Sequence, residues 1–241
     1  MKTLVYIFLS VFWLSLTFAH LDSNVELFKS YPDSCTSAKP KKNGIYKIKV
    51  NGQIMPVYCD VALTGSPWLV IQRRVDVSVN FYRNWSSYQE GFGDLEKSFF
   101  IGLNTLNTLT VSKSHQLYVH LEDFEGQKRF ARYDRFAIGN EANMYGLNTL
   151  GTYSGTAGDG LRFHQNAKFS TYDRNNGNIT VNRAARYTGA WWYNTTHNSN
   201  LNGLYFGGDY GVEQSGRGIT WNYWRGNNYS YKTVHMMIRP N

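Results

Sequence analysis

The groups in this sequence that could carry chemistry are six histidines, His20, His115, His120, His164, His197 and His235, together with scattered carboxylates and two cysteines. A metal-dependent hydrolase would place histidines at ligand spacing, as in His-Glu-x-x-His, and no such spacing occurs. Gly151-Thr152-Tyr153-Ser154-Gly155 sets a serine near glycines, but a nucleophile elbow needs Gly-x-Ser-x-Gly. Gly155-Thr156-Ala157-Gly158-Asp159-Gly160 has the glycines of a phosphate loop without its lysine or its following helix, so it reads as a turn. Glu90, Asp94 and Glu96 could pair as acid and base, but nothing in their spacing brings two of them to one cleft. Catalysis therefore has no constellation behind it, and the chain is expected to bind rather than to react.

The cysteines take their meaning from the N-terminus. Lys2 precedes an apolar run from Leu4 to Phe18, of the length of a secretory h-region and short for a membrane span. Thr17-Phe18-Ala19 fits a cleavage site, so residues 1–19 are expected to be a signal peptide. No later stretch is long and apolar enough to span a bilayer, and the mature chain is expected outside the cell. In that oxidising compartment Cys35 and Cys59 are expected to form a disulfide. Four Asn-x-Ser/Thr sequons, at Asn84, Asn178, Asn194 and Asn228, become glycosylation candidates.

Aromatic residues make up 16% of the chain and charged residues 17%, with 22 Gly against 5 Pro. That mixture excludes a disordered or collagen-like chain and favours strands and turns over long helices. The net charge is +8, but its densest runs, Lys39-Lys41-Lys42 and Arg73-Arg74, are short. Nucleic-acid binders concentrate such charge on one face, so the excess reads as a solvated surface and no nucleic-acid partner is expected.

The elements follow from patterning. Ile45–Val50 and Ile54–Tyr58 alternate around Asn51-Gly52, a hairpin signal. Strands are expected at Trp68–Arg74, Phe99–Gly102, Leu117–Leu121, Phe130–Phe136 and Val234–Pro240, a helical turn within Ser87–Phe92, and a short helix at Leu103–Val111. After Gly151 the chain is rich in Gly, Asn and aromatics for some ninety residues with little periodicity, and loops of that length are usually functional. Residues 20–34 form a lead-in with no heptads, so no oligomerisation stalk is expected.

Several blocks together resemble a fibrinogen C-terminal (fibrinogen-related) domain. In the N-terminal half they are Tyr58-Cys59-Asp60, Ile71-Gln72-Arg73-Arg74, Phe81-Tyr82-Arg83-Asn84-Trp85, Tyr88-Gln89-Glu90-Gly91-Phe92-Gly93 and Leu121-Glu122-Asp123-Phe124-Glu125-Gly126. In the C-terminal half they are Tyr153 to Asp159, Phe169-Ser170-Thr171, Gly189-Ala190-Trp191-Trp192-Tyr193, Ser199-Asn200-Leu201-Asn202-Gly203 and Met237-Ile238-Arg239-Pro240. Any block alone is weak; ten in the family's order over about residues 33–240 are specific. The resemblance implies an α+β fold with a central antiparallel sheet, short helices and a long loop-rich C-terminal subdomain. The expected layout of residues 35–240 is an N-terminal part to about 70, the central sheet over 71–150, ligand loops over 151–233 and a returning strand at 234–240. Aromatics Trp191, Trp192, Tyr193, Tyr205, Trp221 and Trp224 are expected to hold the loops down. Ficolins and tachylectins of this family bind acetylated sugars, angiopoietins and tenascins bind proteins, and the domain makes none of them an enzyme.

The chain departs from the family pattern where ligands bind. Asn182-Arg183-Ala184 and Thr196-His197 stand where members carry the two cysteines of a second disulfide. The resemblance places a cis peptide before the second of these; without the crosslink, Thr195–Thr196 is expected to relax to trans. In the family's calcium loop two carboxylates stand two residues apart, where this chain has Asn175 and Gly177 after Asp173. Calcium affinity tracks ligand charge, so no cofactor is expected and calcium binding is doubtful. Tyr187, His197 and Asn198 match or neighbour the acetyl-pocket positions, with Trp192 and Tyr193 behind, and the His197 backbone N–H is the one family lectins aim at an acetyl oxygen. The aromatic walls opposite fall near Ser215-Gly216 and Asn227.

Two readings follow. In the first the chain is a secreted lectin-like protein that captures acetylated glycans in innate immune or surface recognition, through Tyr187, Trp192, His197 and Asn198. In the second it is an extracellular ligand or matrix module that binds a protein and has lost the calcium and acetyl sites. The sequence leans slightly to the first, the commoner role of short soluble members.

Overall fold

A computed structural model describes residues 30–177 and 179–241. The signal peptide, most of the lead-in and the Asn178 sequon therefore lie outside the described residues. The expected hairpin is β1 (Gly44–Val50) with β2 (Gln53–Asp60), in register from Gly44 opposite Cys59 to Val50 opposite Gln53. Its turn uses Asn51 and Gly52, both at positive φ (49° and 82°), the pairing that suits the twist of a two-residue hairpin. Ahead of it, α1 (Cys35–Ala38) is capped by Ser34 and joined to β2 by the Cys35–Cys59 disulfide, both cysteines being buried.

β3 (Trp68–Arg74) follows β2, then α2 (Trp85–Glu90), β4 (Phe92–Gly93), β5 (Phe99–Phe100) and α3 (Leu103–Ser112). α3 turns Leu103, Leu106, Leu109 and Thr110 inward, the three-residue spacing of one helical face. β6 (His115–Glu122) and β7 (Lys128–Ala137) form a second long antiparallel pair, and β8 (Thr149–Leu150) and β9 (Tyr153–Gly155) add to β7. The last strand of the sheet comes from the far end of the chain, at Thr233–Pro240, and inserts between β3 and β6. All pairings in the sheet are antiparallel.

That insertion explains the returning strand's composition. Val234, Met236 and Ile238 enter the main core, while Met237 faces the other way, into a smaller cluster with Tyr58, Trp68, Val70 and Phe99. Buried on both faces, the strand has no alternation of apolar and polar residues. Docking a strand 233 residues along the chain in the middle of the sheet also fixes where residues 151–232 begin and end, at one edge of β7 and at the start of this last strand.

Between these anchors the chain has only short elements: α4 (Arg183–Arg186), β10 (Ser199–Asn200) paired with β12 (Thr220–Trp221), β11 (Gly208–Asp209) paired with β13 (Tyr229–Ser230), and α5 (Asn222–Arg225), before the long last strand, β14. Such a segment needs side chains to satisfy its backbone. Trp191, Trp192, Tyr193 and Trp221 are fully buried beneath it, and Tyr205 and Trp224 pack half-buried at its margin. Trp192 donates its indole N–H to the Tyr145 carbonyl at 2.8 Å, and Trp221 donates to Ala157 at 3.0 Å.

Candidate functional site

The loop from Trp192 to Ser199 carries the candidate ligand residues Trp192, His197 and Asn198, with Tyr187 at the end of α4, and one buried histidine shapes it. His164 ends a 3-10 turn (Arg162–His164) and has no exposure. Its Nδ1 lies 2.7 Å from the Trp192 carbonyl, and its Nε2 accepts the N–H groups of Asn198 and Ser199, both at 3.1 Å. Nδ1 must therefore carry the proton and Nε2 must be bare, a neutral tautomer set by the three bonds. Burial pulls its pKa down to about 4, which keeps that tautomer in place at neutral pH. The His164 ring thus bridges the two ends of the loop.

A second clasp is Asn200. Its Oδ1 accepts the Tyr193 hydroxyl at 2.7 Å, and its Nδ2 donates to the carbonyls of Tyr187 (3.0 Å) and Gly216 (3.1 Å). It binds three segments that are remote in sequence. Neither His164 nor Asn200 is a candidate from spacing alone; the only signal is that Asn200 lies inside one of the family blocks.

Held in this way, Tyr187 and His197 come together, with ring centroids 4.2 Å apart. Tyr187 is half-buried, and its hydroxyl meets Thr196 Oγ1 at 3.3 Å. The His197 ring is 3% exposed and neither ring nitrogen has a hydrogen-bond partner. Burial, with smaller contributions from His164 and Arg183, lowers its pKa to about 3, so it is neutral. Its backbone N–H has no acceptor among the described residues. Asn198 sits beside them and its Nδ2 reaches the Tyr223 hydroxyl at 3.4 Å. Trp192 is not with them: its ring packs edge-on to Phe136 and Phe169 in the core. Every peptide bond among the described residues is trans, Thr195–Thr196 included.

Where the family pattern puts an aromatic wall, Gly216 lies directly on the imidazole. A Cβ added to Gly216 would sit 2.6 Å from His197 Cε1 and 3.1 Å from Tyr187 Cδ1. Its φ of +79° also suits glycine alone among common residues, and its N–H is tied to the Asn227 carbonyl at 2.7 Å. The segment's backbone fills the space against His197, and no side chain could stand there.

The degenerate calcium loop is closed by its own groups. Asp173 Oδ1 accepts from the Trp85 N–H at 3.0 Å and from the Thr171 hydroxyl at 2.6 Å, which caps the first turn of α2. Asn175 Oδ1 accepts from the Gly177 N–H at 3.3 Å, and its Nδ2 donates to Ile179 O at 3.0 Å. Calcium needs several hard oxygens and gains affinity from their charge. The one carboxylate here is committed to a helix end, Gly177 has no side chain, and no group of three or more His, Cys, Asp or Glu among the described residues is placed to hold a metal. This donor set does not fit a calcium ion.

Of the sequons, Asn84 and Asn194 are exposed and Asn228 is half-buried. Asn84 Oδ1 caps α2 by accepting the Ser87 N–H at 3.0 Å, and its Nδ2, the atom a glycan would take, is left over.

Sheet, returning strand and loop subdomain together define a fibrinogen-type globe. The chain belongs to the fibrinogen C-terminal domain family: the family described as "Fibrinogen beta and gamma chains, C-terminal globular domain" matches residues 33–241. It is similar to Ryncolin-4 of Cerberus rynchops, at 45% identity over 82% of this chain and 57% of that protein. It is similar to Fibrinogen-like protein 1 of Rattus norvegicus, at 43% identity over 83% of this chain and 68% of that one. Human Tenascin-R matches at 37% identity over 95% of this chain, which spans 17% of Tenascin-R's length. Among solved structures it resembles the fibrinogen-like globe domain of human ANGPTL6, with a TM-score of 0.84 and 38% identity over 88% of this chain and 96% of that one. It also resembles lamprey fibrin D-dimer complexed with the peptide Gly-His-Arg-Pro-amide, with a TM-score of 0.79 and 30% identity over 98% of this chain and 85% of that one.

Proposed function

We propose that this chain is a secreted, non-enzymatic recognition module that binds an extracellular protein through its C-terminal loop face without calcium. The observation that carries this reading is Gly216 packed on the His197 ring. An acetyl methyl would need an aromatic-walled gap there, and the gap is filled by backbone. The donor set at Asp173, Asn175 and Gly177 supports the absence of a metal requirement. Secretion is supported by the apolar leader and by the Cys35–Cys59 pair, and glycans at Asn84 and Asn194 would suit that route. The lamprey relative is bound to a peptide, which supports a peptide-like rather than a sugar ligand.

What favours the lectin-like reading is the unpaired His197 N–H in the ring contact with the half-buried Tyr187. The two readings separate on a panel of extracellular proteins and acetylated glycans presented to the secreted chain. The proposal expects a protein partner whose binding survives EDTA and is lost in Tyr187→Ala. Binding to acetylated glycans alone would overturn it.

A further inference from the structure

Arg74, the last residue of β3, is 1% exposed. Its Nη1 donates to the carbonyls of Leu201 (3.1 Å) and Gly203 (2.9 Å), and its guanidinium lies 3.8 Å over the Phe81 ring. Nε is buried with no hydrogen-bond partner. No carboxylate pairs with Arg74 among the described residues. The acidic group that bears on its charge is Asp76, whose Oδ1 is taken by the N–H and hydroxyl of Ser78 and by the Ser98 hydroxyl. Burial brings the pKa of Arg74 down to about 10, so it stays charged at neutral pH. Buried charges are ordinarily paired. The two carbonyls occupy Nη1 and Nε is sealed from the surface, which leaves Nη2 for an acceptor.

Arg74 also lines a cavity of about 290 Å³ whose other walls include Val79, Phe81, Leu204, Tyr205 and Phe206. The volume lies just below the usual range for ligand pockets, which suits only a small ligand. A single cation among mostly apolar and aromatic walls, with Asn80 as a polar neighbour, favours a single negative charge on a largely apolar body over phosphate or a sugar. A carboxylate oxygen accepting from Nη2 makes a charge-assisted hydrogen bond that a neutral group cannot match. None of Tyr187, His197 and Asn198 lines this cavity.

We propose that the Arg74 cavity is a binding site for a small apolar carboxylic acid, with its carboxylate on Arg74 and its hydrocarbon part against Phe81, Tyr205 and Phe206. The site is separate from the loop face proposed for protein recognition and does not depend on it.

The test is an NMR titration of the isotope-labelled secreted protein with phenylacetate and with its neutral analogue phenylacetamide. The expected result is a saturable shift of the Phe81, Leu204 and Phe206 amide signals by phenylacetate, with a Kd of about 1 mM or tighter and binding of the amide at least about tenfold weaker. Arg74→Met is expected to abolish the phenylacetate response. Should that variant fail to fold, Val77→Trp narrows the mouth from a position that is 72% exposed, and is expected to weaken phenylacetate at least about tenfold. Equal binding of acid and amide, no response to phenylacetate at about 10 mM, or an unchanged affinity in a folded variant would overturn the proposal.

Discussion

Replacing His164 with leucine tests whether one imidazole shapes the recognition loop. The substitution keeps bulk and removes both nitrogens. It strands the Trp192 carbonyl and the N–H groups of Asn198 and Ser199, in a place where His164 and Ser199 have no exposure and Trp192 has 1%. Each buried backbone group left unsatisfied costs about 1–3 kcal/mol, so the three together put the loss in His164→Leu at about 3–9 kcal/mol. Domains are stable by only about 5–15 kcal/mol, so the variant should be visibly marginal in urea unfolding, with faster amide exchange at Asn198 and Ser199. The wild type carries a second signature. Burial holds His164 near pKa 4 in the folded chain against 6.5 when free. Between these values the unfolded chain binds the proton and the folded chain does not, so stability is full above pH 6.5 and falls as pH drops towards 4. The loss amounts to about 3 kcal/mol for this group. His164→Leu should therefore flatten the slope of stability against pH over this window by about one proton. A loss under about 1 kcal/mol with an unchanged pH slope would refute the account of the loop.

Other outcomes follow from the same geometry. His197 and His235 are held to pKa values of about 3, chiefly by burial, so the wild-type melting temperature should fall steeply from pH 6.5 to 4.5; an unchanged Tm over that range would contradict the burial of these rings. Gly216→Ala should cost about 2–3 kcal/mol in urea unfolding, from its positive φ and from the 2.6 Å approach to His197. Asp173→Ala should lose about 1 kcal/mol by leaving the Trp85 N–H without its acceptor while Asn84 still caps α2, and calcium should leave the Tm of wild type and variant alike unmoved. Replacing both Cys35 and Cys59 by serine should cost about 3 kcal/mol, readable as a lower urea midpoint.

The parts of the fold that were legible in the sequence are those where local pattern and tertiary demand agree. The Asn51-Gly52 hairpin, β3 at Trp68–Arg74 and the helix beginning at Leu103 lie within a few residues of their expected bounds. The helical turn expected from Ser87 starts instead at Trp85, because its cap is Asn84, a residue whose sequon drew attention to a different chemistry. The Gly/Asn-rich span after Gly151 carries no period because its backbone is satisfied by side chains rather than by ladders; Asn182, Asn200 and Asn202 alone each bind two or more distant backbone or side-chain groups. Such contacts have no spacing rule.

The candidate site was legible in the same partial way. Tyr187, at the end of α4, packs on His197, which Asn198 follows in the loop, whereas Trp192 is a core residue whose indole serves the Tyr145 carbonyl. His164 was invisible because its partners are backbone groups, which any sequence supplies. Gly216 stood out only as a missing aromatic; that its backbone takes the wall's space is a three-dimensional fact, set by the hydrogen bonds to Asn200 and Asn227.

The most direct test of calcium-free protein recognition is retention of the secreted chain on immobilised N-acetylglucosamine, run in calcium and again in EDTA. With Gly216 on the His197 ring and Asp173 committed to α2, the chain should flow through in both conditions. Retention in calcium with release by EDTA would contradict the account at both the pocket and the loop.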